Sequence, residues 1–319
     1  MTPEIQVGAK LDSEGKSLQS VSLWNITRRR LLHRKSAIVG MVILAILVFI
    51  ALTAHWLAPY DPIKSMLDVK GYPIRPAKRE APCIHAFGCP PDQPQHIMGL
   101  DGNIRDEFSR VLYGARLSLF IGFATVTFAI FTGALLGAFS GYFGGWIDNS
   151  IMRVMDVLLA FPSLLLAIAI VTVLGPGLIN ALLAIGIVSI PAYARVVRAS
   201  VLSIREMDFV SATRALGGDT VQILFRRILP NALTPLIVQG TLGIASAILD
   251  AAALSFLGLG AQPPTPEWGS MLGAERNQVF TAPHLVFFPG VAIALTVLSF
   301  NLLGDGLRDA LDPRLAHVS

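Results

Sequence analysis

Charge is what this sequence has least of: 14% of its 319 residues are Asp, Glu, Lys or Arg, where an ordinary soluble domain carries about a quarter. A soluble surface of that size needs more ionic residues to stay dispersed, so the scarcity argues against a soluble enzyme. The motifs of familiar catalysts are missing as well. No phosphate-cradling Gly-x-x-x-x-Gly-Lys-Ser/Thr run occurs, so the chain cannot itself supply an ATP site. There is no nucleophile elbow and no His-Glu-x-x-His, and the six histidines are scattered. The chain is therefore expected not to be an enzyme. No cleavable secretion signal is evident: 36 residues precede the first apolar stretch, which is too long for a signal core.

Apolar residues fill the gap, at 53% of the chain and a mean hydropathy of +0.62. Six stretches reach the roughly 20 residues a helix needs to cross a bilayer. They are Ala37–Ala58, Leu117–Phe139, Val154–Leu174, Leu178–Val197, Leu233–Leu257 and Leu285–Leu303. Only a helix satisfies every backbone group within one isolated apolar segment, so an all-α integral membrane protein is expected. Pro162, Pro191 and Pro289 fall inside spans, which membrane bundles tolerate. Gly133 and Gly137 have the spacing of close helix contacts, and tight packing is the plainer reading than a dimer motif.

The net charge of +4 does not point to nucleic acid, because the basic residues flank apolar segments. Arg28, Arg29, Arg30, Arg34 and Lys35 precede the first span, and Arg195, Arg198, Arg205, Arg214, Arg226 and Arg227 crowd the fourth connection. Residues 175–177 carry no charge, and 258–284 carry one basic residue, Arg276. The positive-inside rule then places both termini in the cytoplasm. The organisation reads as a cytoplasmic tail (1–36), a first span (37–58), an external loop (59–116), a five-helix core (117–305) with a cytoplasmic loop at 198–231, and a cytoplasmic tail (306–319).

The external loop holds eight prolines between 59 and 94, so it is extended and irregular. It also holds the only two cysteines, Cys83 and Cys89. A disulfide is the first reading of the pair, free thiols the second, and a metal site with His85 the third, since three soft ligands leave a site incomplete.

The connection from Val196 to Asn231 is too polar for lipid yet is punctuated like two helices. The first runs from Met207 to Leu216 and stops at Gly217-Gly218. Asp219 is placed to cap the second, with Gln222 completing a capping box, and Val221, Leu224, Phe225 and Ile228 form its apolar stripe. Pro230 is expected to end it. The small face of Ser211, Ala212, Ala215 and Gly217 suits insertion into a groove on another protein, and an amphipathic linker on the membrane surface fits the pattern equally well.

The run Ser211-Ala212-Thr213-Arg214-Ala215-Leu216-Gly217, with Pro230 thirteen residues after Gly217, resembles the EAA loop of bacterial ABC importer permeases. Ser211 stands where that family has glutamate, Thr213 where it has a second alanine, and Arg227 where it has isoleucine. Further segments are similar to the dipeptide and oligopeptide branch, over roughly residues 20–319. They include His96–Asp101, Arg105-Asp106, Tyr113–Arg116, Gly141–Gly145, Met152-Arg153, Phe161–Ser163, Ser255–Gly260, Gln262–Gly269 and Gly304–Pro313. Ile104 stands where those relatives usually have glycine.

The resemblance implies the type I importer permease fold with six transmembrane helices, working beside a homologous second permease, two ATP-binding subunits and an extracytoplasmic substrate-binding protein. ATP and Mg would be held by the partner subunits, none by this chain. Ser211, Ala212, Thr213, Ala215, Leu216, Gly217, Gly218 and Asp219 would contact the ATPase. Peptides are the expected cargo, with nickel chelates, glutathione or oligosaccharides as the alternative.

Asp250 is an ionisable residue inside the fifth span and so a candidate for the translocation path, where it would meet a peptide's ammonium group. An interhelical partner is the plainer reading. Asp156 is expected to pair with Arg153 one turn away. A self-sufficient secondary transporter or channel is the distant alternative; it would need inverted repeats, and none is visible.

Overall fold

The computed structural model describes residues 30–69 and 75–311. Arg28 and Arg29 of the first basic cluster, most of the 1–36 tail, part of the 59–116 loop, and Asp312 and Pro313 with the rest of the terminal tail lie outside the described residues. The described residues are almost wholly helical. Five of the described helices are long and apolar enough to span a bilayer, and a bent pair makes a sixth span if its two helices are counted as one.

Helix α1 (Lys35–Leu57) is apolar all round, as a helix facing lipid on most sides must be. It buries the stripe Ala37, Gly40, Leu47, Ala51 and Ala54 against its neighbours. Helix α2 (Glu107–Phe143) has 37 residues, about 55 Å at 1.5 Å per residue, so it projects well beyond a hydrocarbon core of roughly 30 Å. Its first turn is capped by Asp106, whose Oδ2 accepts from the Ser109 N–H at 2.8 Å and from the Ser109 hydroxyl at 2.6 Å.

Helix α5 (Leu178–Arg205) packs along α2 in the most extensive helix contact of the molecule. Gly133 and Gly137 make that possible: a Cβ at Gly137 would collide with the Ala194 carbonyl, and one at Gly133 would lie 2.8 Å from the Tyr193 Cβ. The spacing thus serves packing within the chain.

The third expected span is not one helix. Its residues divide between α3 (Gly145–Leu159) and α4 (Ser163–Leu174), bent by 93° at Ala160–Pro162. Proline disfavours helical backbone in the residue before it, and Pro162 itself is extended (ψ 127°). Pro191 stays inside α5, and Pro289 inside the last helix, α11 (His284–Leu311). Before Pro162, α3 is tied to α5 through Asp148 and Asp156 and packs on it through Met152, Met155 and Leu158.

After α6 (Asp208–Ala215) the chain turns through α7 (Thr220–Gln222), a π-helical stretch Ile223–Ile228, and α8 (Leu229–Ala232) into α9 (Thr234–Phe256). Pro230 therefore does not end the helix, contrary to the expectation from its sequence. Proline removes an N–H and crowds the preceding turn; the wider π turn immediately before it relieves that crowding, and the helix continues. Ile223, Leu224, Ile228 and Ala232 are buried beneath it, which holds the distorted segment in place.

The far end of the bundle is closed by a cap built from residues 59–69, 75–106 and 258–283, including the short helix α10 (Trp268–Glu275). Helix α11 (His284–Leu311) completes the bundle. Ion pairs and hydrogen bonds tie the cap together around a small apolar cluster of Met66, Leu100 and Ile104. The Glu275 carboxylate accepts from Arg79 Nε at 2.7 Å and the Gly102 N–H at 2.9 Å. The Asp101 carboxylate accepts from Arg105 Nε at 2.7 Å. Arg110 Nη1 donates to the carbonyls of Pro62 (2.9 Å) and Pro264 (3.2 Å), joining the two loops. Ile104 sits in this region with φ +58°, the left-handed backbone that glycine adopts without strain.

Candidate functional site

The first candidate region is the turn between α6 and α7. Three residues after the last helical turn of α6, two bonds close a Schellman motif: the Gly218 N–H reaches the Thr213 carbonyl and the Gly217 N–H the Arg214 carbonyl, both at 3.0 Å. Gly217 takes φ +81° with nothing within 4 Å of where a Cβ would stand. Asp219 then caps α7, accepting from the Val221 N–H at 3.3 Å; the reciprocal Gln222 bond of a capping box is not formed among the described residues.

The turn stands on an apolar base. Val210, Ile223, Leu224 and Ile228 are buried in the main core with Val201 and Ile204 of α5. Above that base Ser211, Ala212, Ala215, Leu216, Gly217 and Asp219 are exposed, and Thr213 and Gly218 half-buried. Leu216 is 89% exposed, an apolar side chain presented to the outside by a rigid turn. Two shallow hollows flank it, one lined by Tyr142, Arg205, Glu206, Ser211 and Arg214, the other by Asp219, Val221, Gln222, Phe225 and Arg226. All eight residues singled out in this loop thus lie on one projecting feature.

The arginines beside it have partners that sequence alone did not supply. Arg198 grips Asp148 with two bonds of 2.6 Å, Arg195 Nη2 reaches Asp156 at 2.6 Å, and Arg205 Nη1 donates to the Gly141 and Tyr142 carbonyls at the C-terminus of α2, both at 3.1 Å. Asp156 therefore pairs with Arg195 across 39 residues and not with Arg153 one turn away; a neighbouring helix brings a better-aimed guanidinium than its own does. Residues 195, 198 and 205 fall within about 80° of arc on a helix of 3.6 residues per turn, a signal visible in the sequence once a single face is looked for.

Asp250 lies on α9, half-buried, with no hydrogen bond or ion pair among the described residues. The interhelical partner expected for it is not found within the chain. Ser246 before it is exposed, and Ala253 after it is half-buried. A carboxylate on the outer face of an apolar span is costly against lipid, so this face calls for water or protein opposite it.

In the cap, a disulfide joins Cys83 and Cys89, with Cα atoms 5.2 Å apart, and His85 Nε2 lies 2.9 Å from the Gln93 carbonyl. Neither thiolate is then free for a metal, and among the described residues no cluster of three or more metal-binding side chains occurs. The loop presents Phe87, 86% exposed. Beneath it His96 is fully buried 3.9 Å from Glu80, and Gln93 donates to the same carboxylate. Burial pushes the His96 imidazole below its ordinary value, against the pull of Glu80 and Asp106. Burial likewise raises the Asp106 carboxyl, opposed by its bonds from Ser109, and the Glu267 carboxyl, opposed by the N–H groups of Gly269 and Ser270.

Comparison with known proteins gives this arrangement a context. Residues 133–317 match the family described as the binding-protein-dependent transport system inner membrane component, and residues 22–73 match the N-terminal transmembrane domain of oligopeptide transport permease C. The di/tripeptide transport system permease protein DppC of Pseudomonas aeruginosa is 48% identical over 287 residues, 90% of this chain and 91% of that protein. The dipeptide transport system permease protein DppC of Alkalihalophilus pseudofirmus is 48% identical over 297 residues, 93% and 91% of the two chains. The glutathione transport system permease protein GsiD of Escherichia coli is 44% identical over 296 residues, 92% and 91%. Among solved structures, the inward-facing MetNI methionine ABC transporter superposes with a TM-score of 0.52 at 19% identity, over 64% of this chain and 97% of that one, a likeness of fold. The secondary-transporter alternative falls with these findings: the chain belongs to the inner membrane components of binding-protein-dependent transport systems, the permeases of ABC importers.

Proposed function

We propose that this chain is one of two homologous permeases in an ATP-driven importer of dipeptides and tripeptides. The relatives named for dipeptide transport, at 48% identity over nine-tenths of the chain, support the cargo. In this reading two ATPase subunits hold ATP and Mg, an extracytoplasmic protein delivers the peptide, and this chain provides half of the pathway. Both termini and the Gly217 turn lie in the cytoplasm, with the disulfide loop outside; the weight of Lys and Arg beside the turn supports that orientation.

The observation that carries the mechanism is the exposed, rigidly based turn from Ser211 to Asp219. A free-standing helix end with an 89% exposed leucine and an unobstructed glycine has the shape of a plug for a groove on another protein. Closure of the ATPases around ATP would displace this plug, and the spans would rock between outward-open and inward-open states. Asp250 supplies the pathway with a carboxylate that meets the peptide's ammonium group. The test is reconstitution of the full complex in liposomes, with uptake of a labelled dipeptide measured against ATP and binding protein. Uptake independent of ATP, or external labelling of a cysteine placed at Leu216 in intact cells, would refute this assignment.

Glutathione is the second reading, favoured by relatives at 44% identity. Glutathione also carries a free α-amine, so the Asp250 argument does not separate the two. Competition between glutathione and a dipeptide for uptake by the same complex does.

A further inference from the structure

The basic residues beside the fourth connection were first read as a topological signal. The structure gives three of them specific work along one face of α5. At the C-terminus of α2, Arg205 binds two carbonyls that the helix leaves open, where a cation is also favoured by the helix dipole. Two turns earlier, Arg198 meets Asp148 in the fork-on-fork geometry that only a guanidinium provides: Nε to Oδ1 and Nη2 to Oδ2, each 2.6 Å. Ser140 of α2 donates its hydroxyl to the same Asp148 oxygen, so three helices meet at one carboxylate. The Arg198 and Asp148 side chains are 34% and 16% exposed, which shelters the pair from solvent. The third pair, Arg195 with Asp156, is half exposed on both sides and adds less.

These contacts divide the molecule in a particular way. The end of α2, the last turns of α5 and the Gly217 turn share one apolar core through Val197, Val201, Ile204, Val210, Ile223 and Leu224. Helix α3 fully buries one residue, Met155, which with the partly buried Met152 and Leu158 packs in a small cluster separate from the main core, on Ile190 and Ala194 of α5. Its far end is the 93° bend at Ala160–Pro162, and beyond the bend is α4, whose Ala167 and Val171 lie in the main core and whose outer face carries Leu165 and Val173 at 61% and 87% exposure.

We propose that the Asp148–Arg198 pair is a mechanical latch that adds to this packing and makes α3 travel with α4, α5 and the coupling turn as one block when Gly217 is displaced. Arg198 and Asp148 are positioning residues for transport; neither touches peptide or nucleotide. The inference rests on the turn being the docking point for the ATPase.

The test uses the complete transporter in liposomes with Arg198→Lys and Asp148→Asn. Lysine keeps the positive charge that orients the chain but cannot make the fork, so topology is unchanged while the latch is lost. Yield of assembled complex and the ATPase rate stimulated by loaded binding protein should stay within about twofold of wild type, while peptide taken up per ATP falls at least fivefold. A pair that only stabilised the fold would lower uptake in proportion to assembled complex, with the ratio of uptake to ATP unchanged. That outcome, or a wild-type ratio in both variants, overturns the latch. A cysteine at Leu216 reports separately on docking: its failure to crosslink to an ATPase subunit removes the underlying reading, whatever the ratio does.

Discussion

Gly217 allows backbone strain to be separated from contact with a partner. Its φ of +81° is a conformation that costs an ordinary L-residue about 1–2 kcal/mol, and asparagine tolerates it better than most. Nothing described of the chain lies within 4 Å of an added Cβ beyond its chain neighbours, so an alanine methyl there meets no clash. Alanine should therefore weaken the turn by about 1–2 kcal/mol, a factor of roughly 5–30 in the population of the intact motif, and asparagine by less. Exchange of the Gly218 N–H, which holds the 3.0 Å bond to Thr213, reads that population directly. If the turn is a plug in a groove, uptake follows a different order. Asparagine, with near-native exchange, still adds atoms to the docking surface and should cut uptake and stimulated ATPase together, by tenfold or more. Uptake that tracks exchange alone across Gly, Asn and Ala would refute the docking argument and leave the glycine a merely structural stop.

Three further outcomes are expected. Gly137→Leu should abolish assembly, because its first added atom collides with the Ala194 carbonyl along the α2–α5 seam; native yield on a membrane fractionation gel would contradict it. Asp250→Asn should lower maximal uptake at least fivefold while leaving the half-saturating peptide concentration unchanged, since the delivering protein sets the latter; unaltered uptake removes Asp250 from the path. His96 should make the cap acid-sensitive. Its folded pKa lies below the ordinary value near 6.5, so the stability it contributes is present above that value and is lost as pH falls through the lowered one. Asp106 runs the other way, its contribution present below its ordinary range and lost as pH rises through the raised value. Hydrogen exchange at the Leu100 N–H, compared between wild type and His96→Gln from pH 7 to 5, isolates the histidine; identical profiles would refute it.

The parts of this fold legible in the sequence are those set by neighbours along the chain. Apolar length gave the spans, Gly217 and Gly218 gave the stop, and Asp219 gave the cap, because each depends on residues within a turn or two. The parts that were not legible depend on residues brought together by folding. Asp156 had a plausible local partner in Arg153 and took Arg195 instead. Pro162, Pro191 and Pro289 look alike in sequence, yet only the first stands at a break, and there the preceding helix is also tied to α5 by Asp148 and Asp156. Pro230 was read as a stop and became part of a continuous path, since a π turn before it accommodated the missing N–H. The ion pairing of the cap was invisible for the same reason: Arg79 and Glu275 are 196 residues apart.

Where the chain leaves chemistry unfinished is itself informative. Two polar side chains of the last span, Thr296 and Ser299, bond carbonyls of their own helix, and Asp148 takes three donors. Asp250 has none among the described residues, and it is set on a span with Ser246 exposed beside it. Lipid offers no hydrogen bonds, so a carboxylate left this way is stable only against water or another protein. At the opposite extreme of polarity, Leu216 is held out on a turn whose every backbone bond favours rigidity, where water gives it nothing. A half-buried carboxylate without a partner among the described residues and a leucine held out into water are two surfaces that the proposed partner subunits would complete. Their positions, mid-span and at the cytoplasmic end in the proposed orientation, match a pathway shared with a second permease and a joint with a motor.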